Sequence, residues 1–195
     1  GVVVACVPTH GATFATGVNN IPEYPSTDTP RPIADNTTFT SPIVVTDTET
    51  VLDVEVRLNI THTYDGDLDL FLIGPNGTRV DLSSDNGGTG ENFNNTIFDD
   101  EAPTAITAGV PPYVGRFRPE GSLATLDGLA ANGTRSLEVT DDAGSDIGTL
   151  SSWTLILTFA AQACGPEAVY QSHQLQTDAC SSGAAGGGDG PWVAG

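Results

Sequence analysis

Between Val51 and Ile60 the chain alternates. Leu52, Val54, Val56, Leu58 and Ile60 share one parity, while Asp53, Glu55, Arg57 and Asn59 share the other. That period of two predicts a strand with one face on a core and one in water. A turn at Asp65-Gly66 follows, and Leu68, Leu70 and Leu72 resume the alternation. Pro75-Asn76-Gly77 is a strong turn signal, after which a hairpin returns through Val80 and Leu82. Further strands are predicted over Ser136 to Thr140 and Ser152 to Ala160, where Trp153, Leu155, Leu157 and Phe159 form a core stripe. No long segment repeats at the 3.6-residue spacing of an amphipathic helix. Short strands separated by Gly, Pro, Asn and Asp predict an all-β chain folded as two packed sheets.

The punctuation also divides the chain. Its 195 residues are enough for one domain with appendages. Residues 1–23 read as an arm opening on the β-branched run Val2, Val3 and Val4. Residues 24–160 read as the sandwich, entered through an extended path set by Pro25, Pro30, Pro32 and Pro42. Residues 161–195 form a Gly-rich tail holding Cys164, Cys180 and an isolated Trp192. Cys164 and Cys180 would close a local disulfide and leave Cys6 over. A bridge from Cys6 to either, within one chain or between two, is the alternative.

Charge narrows the partners. Six Arg and no Lys stand against 25 acidic residues, a formal net charge of -19. Such a surface repels phosphate backbones and anionic membranes, which excludes nucleic acid and membrane surfaces as partners. No stretch is long and apolar enough to span a bilayer as a helix. Cysteines outside any CxxC pattern and five Asn-X-Thr acceptors, at Asn36, Asn59, Asn76, Asn94 and Asn132, favour an extracellular location, although sequons also arise by chance in a chain this rich in Asn and Thr.

Several ordered motifs carry a resemblance. HTYDGDLDLFLIGPNGTRVDL (His62 to Leu82) is similar to the central signature of the P domain, or P/Homo B domain, of secreted subtilisin-like proprotein convertases and related bacterial extracellular proteins. NFNNTIFDDEA (Asn92 to Ala102), GRFRPEGSLATLDGL (Gly115 to Leu129) and ANGTRSLEVTDDAGSDIGTLSSWTLIL (Ala131 to Leu157) follow in the family's order. Arg135 departs from the family, whose members often carry Trp at that place. The resemblance implies a jelly-roll-like sandwich without catalytic residues, which stabilises a neighbouring protease domain or serves other secreted proteins as an accessory module. The histidines fit this expectation: His10, His62 and His173 lie in no HExxH pattern and beside no GxSxG elbow.

The carboxylates are the chemically suggestive feature. Asp65, Asp67 and Asp69 form one group, Asp99, Asp100 and Glu101 a second, and Asp141, Asp142 and Asp146 a third. Oxygen-only clusters suit Ca²⁺, and the resemblance implies Ca²⁺ held by loops of this kind. Asp67 with Asp99 and Asp100 is the first choice of ligands. The same residues also suit Asx turns that satisfy loop backbone. Two functions then compete. One is a non-catalytic structural subunit whose arm (Val2, Val3, Val4) adds a strand to another copy, building a filament or surface layer stabilised by Ca²⁺. The chain is read first as this assembly subunit; the alternative is an accessory domain that stabilises or positions the catalytic domain of a larger secreted protease or hydrolase.

Overall fold

A computed structural model describes residues 19–160. Ten strands alternate with turns in this span: β1 (Glu23–Pro25), β2 (Arg31–Ile33), β3 (Thr37–Val45), β4 (Val51–His62), β5 (Leu68–Ile73), β6 (Arg79–Ser84), β7 (Phe93–Phe98), β8 (Tyr113–Phe117), β9 (Gly133–Asp141) and β10 (Gly148–Phe159). They form two sheets. One runs β1-β10-β4-β7-β8, with β2 also paired to β10, and the other runs β3-β9-β5-β6. Every pairing is antiparallel except β7 with β8. This is the all-β, two-sheet sandwich expected from the alternation.

The inward parity of each strand builds one core. Val54, Val56, Leu58 and Ile60 from β4 meet Leu68, Leu70 and Leu72 from β5, with Leu137, Val139, Trp153, Leu155 and Leu157 between them, all essentially excluded from solvent. Leu52 does not join them. It is 47% exposed, and Val51 is buried instead. The register of β4 against β10 slips between Thr158 and Phe159, so an irregularity flips the side of the sheet that β4 presents at its start.

The Pro-rich entry becomes β1, β2 and the first half of β3 rather than plain extended chain. Pro42 sits inside β3, which lies at the edge of its sheet. Arg31 Nη1 donates to the Thr40 carbonyl at 2.6 Å, which puts the even residues of β3 on its outer side. Pro42 shares that parity, so the N–H it lacks is one the ladder with β9 does not use. The two layers are also tied by polar contacts. Trp153 Nε1 on β10 donates to Ser41 Oγ on β3 at 2.7 Å, and Ser41 in turn donates to Asp28.

Candidate functional site

Three connections meet at one end of the sandwich: residues 63–67, 85–92 and 142–147. They carry Asp65, Asp67, Asp85, Glu91, Asp142 and Asp146 and no Arg. The short 3₁₀ turn Asp65–Asp67 precedes β5, so Asp65 turns inward while Asp67 stays near the surface. Asp65 is fully buried. Its N–H donates to the Gly90 carbonyl at 2.8 Å, and its Oδ1 accepts from the Asn92 N–H at 2.8 Å. Among the described residues its Oδ2 has no hydrogen-bond partner.

Close packing at this point depends on glycine. A Cβ at Gly87 would lie 3.0 Å from the Asp65 Cβ and 3.1 Å from the Tyr113 hydroxyl, at a φ of +96° that disfavours other residues. Burial pushes the Asp65 carboxyl up to about 7, with the nearby Glu91 adding to the shift and the Asn92 N–H and His62 opposing it. The Tyr113 phenol is pushed up to about 12, again mainly by burial, with Asp65 contributing.

His62 closes the same end from β4. Its Nε2 lies 3.2 Å from Asp141 Oδ2 and its Nδ1 2.9 Å from the Tyr64 carbonyl, and neither its side chain nor that of Asp141 is exposed. A general base needs one ring nitrogen turned to a nucleophile or substrate. Here both are engaged within the protein, Nε2 with Asp141 and Nδ1 with the Tyr64 backbone, whose N–H lies 3.3 Å from it. Beside it a shallow cleft of about 260 Å³ is lined by Thr61, Thr63, Glu91, Asn92 and Ile147, with Ile147 66% exposed.

The structure distributes the predicted ligands rather than gathering them. Among the described residues, no three His, Cys, Asp or Glu side chains are placed to hold a metal together. Asp67 and the Asp99–Asp100 pair lie toward opposite ends of β4. Asp67 sits near Asp141 and His62, whereas Asp99 and Asp100 sit near Asp53. Asp69 stands on β5 opposite Ser84. Asp99 Oδ2 accepts from Arg116 at 2.6 Å and its Oδ1 from the Glu101 N–H at 2.8 Å. Asp100 accepts from the N–H groups of Leu123 and Ala124 and from the Ser122 hydroxyl, anchoring the turn Leu123–Leu126. Asp141 Oδ1 accepts from the Ala143 N–H at 3.2 Å. These are the loop-capping roles that compete with ligation. Among the described residues, two carboxylate oxygens are left bare, Asp65 Oδ2 at this end and Asp127 Oδ1 at the other, and the fully buried Asp65 is the better fit to a cation.

Sequence reasoning passed over two carboxylates in the second group. Asp53 on β4 and Asp127 are both pushed up, mainly by burial, with Asp100 close to each. Asp127 Oδ1 is buried without a partner. Neither sits in an acidic run, so spacing alone gave no signal. The predicted disulfide partners Cys6, Cys164 and Cys180, the arm residues Val2, Val3 and Val4, and Trp192 lie outside the described residues.

The family model described as "Proprotein convertase P-domain" matches residues 51–157, just over half of the chain and the span from β4 to β10. A transglutaminase-activating metalloprotease of Streptomyces mobaraensis is 34% identical over 119 residues, which is 60% of this chain and 12% of that protein. Leupeptin-inactivating enzyme 1 of Streptomyces exfoliatus is 31% identical over 101 residues, 52% of this chain and 17% of the relative. The chain thus spans well under a fifth of each of these relatives. Among solved structures, a serine protease of Aeromonas sobria in complex with its chaperone is similar at 21% identity and a TM-score of 0.49, over 74% of this chain and 27% of the protease.

Proposed function

Since the chain belongs to the proprotein convertase P-domain family, we propose that it is a non-catalytic accessory domain that stabilises or positions the catalytic domain of a larger secreted protease or hydrolase. The family match across the sandwich carries this reading. Two relatives, one of them a metalloprotease, in which the matched region is a small part of the whole support it, and so does a histidine whose ring nitrogens are both occupied. The self-assembly reading depends on Val2, Val3 and Val4, and no comparison favours it.

Size-exclusion chromatography of the isolated chain is the test. A monomer without peptidase activity is expected. Polymers that vanish when residues 1–20 are deleted would replace this reading with self-assembly, and hydrolysis of a peptide substrate by the pure chain would overturn both.

Calcium belongs to the proposal at one place. Asp65 would hold the ion, whose charge would offset that of a buried carboxylate. The melting temperature is expected to rise when Ca²⁺ replaces chelator, and to stop responding in Asp65→Asn. Equal melting curves with Ca²⁺ and with chelator would remove the ion from the account.

A further inference from the structure

The five Asn-X-Thr sequences are not used by the fold in the same way. Asn59 lies on β4, where its Nδ2 donates to Ser152 Oγ at 3.1 Å and its Oδ1 accepts from the Asn95 N–H at 2.7 Å. Both ends of that amide are engaged. The other four are exposed. Asn36 occupies the turn between β2 and β3 at a φ of 52°. Asn76 heads the β5–β6 turn, where its Oδ1 accepts from the Thr78 N–H at 3.0 Å. Asn94 stands on β7, and Asn132 immediately precedes β9. Among the described residues none of these four uses its Nδ2 in a hydrogen bond, and Nδ2 is the atom that N-glycosylation modifies.

Turn chemistry explains Asn at 76 and 132, since Asn-Gly is a favoured turn pair. It does not require Thr at the third place each time. With ten Asn and 25 Thr in 195 residues, random placement gives about one Asn-X-Thr against five present; three of the five, at Asn76, Asn94 and Asn132, lie within the family-like motifs, and Asn36 and Asn59 lie outside them.

We infer that Asn36, Asn76, Asn94 and Asn132 are acceptor sites for N-linked glycans, and that Asn59 is not. The donor class is a sugar joined through its anomeric carbon to a lipid diphosphate, used by a membrane-bound oligosaccharide transferase. The Asn Nδ2 bonds to that carbon, the carbon–oxygen bond to the diphosphate breaks, one Nδ2 proton passes to the enzyme, and the lipid diphosphate leaves. At Asn76 the turn keeps its hydrogen bond, because Oδ1 makes it and Nδ2 reacts. At Asn59 a glycan would remove the Nδ2 contact to Ser152 and crowd the β4–β10 ladder.

The inference needs secretion past such an enzyme but not the accessory role, so the two fail separately. The test is glycopeptide mapping of the full chain purified from its native source, with the same chain from a host lacking the transferase as the unmodified reference. Added mass is expected on at least two of the four exposed acceptors and none on Asn59. The Asn36→Gln, Asn76→Gln, Asn94→Gln and Asn132→Gln variant, combined, should migrate as bare polypeptide, whereas Asn59→Gln should leave the mass distribution unchanged. Fewer than two of the four modified, or a glycan on Asn59, would overturn it.

Discussion

Two buried ionisable side chains set the chemistry of single residues here. Asp65 has one oxygen served by an N–H and one served by nothing. A carboxyl raised from its ordinary value near 4 to about 7 binds its proton more tightly in the folded chain than in the unfolded one. Stability from this group is therefore complete below about pH 4 and is lost as pH rises through about 7. At ~1.4 kcal/mol per pKa unit the loss is of order a few kcal/mol. In chelator, denaturant unfolding at pH 5 and pH 8 should show Asp65→Asn losing less stability than the parent. Identical slopes would refute the assignment.

Arg135 is the mirror case. Among the described residues no carboxylate touches it and its Nε lacks a partner, and burial lowers its pKa. Its Nη1 donates to the Ala131 carbonyl and its Nη2 reaches the Ala130 carbonyl at 3.5 Å. Replacing a buried charge with an apolar side chain of similar volume is often neutral or stabilising, so Arg135→Met should gain ~1–2 kcal/mol. A drop in melting temperature would show that the carbonyl contact matters more than the cost of burying the charge.

At the scale of elements, the contact between Trp153 and Ser41 joins the long central strand of one sheet to an edge strand of the other. Ser41→Ala strands the indole N–H and removes a donor from Asp28. Leaving a buried donor unmatched costs about 1–3 kcal/mol, read as a lower denaturant midpoint at unchanged slope.

The elements divide by how locally they are determined. β4, β5, β6 and β10 were legible because each alternates over its own length and the β5–β6 turn contains Asn-Gly. Leu52 was misplaced because a register slip depends on the partner strand, which a period of two does not reveal. β7 and β8 escaped notice. Asn-rich β7 is bulged opposite β8, with Asn95 at positive φ, and β8 carries Gly115 at a φ of +105°, so neither shows clean alternation. The candidate site was legible only as residue types. Which carboxylates cap loops, and which one is left with a bare oxygen, depends on where three separate connections meet.

For the molecule as a whole, charge is the dominant global property. With a net charge of -19, the folded chain repels itself wherever solvent does not screen it. The Debye length falls from ~30 Å at 0.01 M salt to ~3 Å at 1 M. Melting temperature should therefore climb with NaCl over that range. A flat or falling curve in calorimetry would mean that the six Arg and local hydrogen bonds already neutralise the strain.

One modest feature shapes how such a body is joined to others. Asn20 bridges to Phe159, and the Pro22 carbonyl accepts from the Leu157 N–H at 3.2 Å, so the polypeptide enters and departs through adjacent threads of the same sheet. A unit whose two portals coincide can be spliced into a surface loop of a host, or hung from one by a single stalk, without prying the host apart.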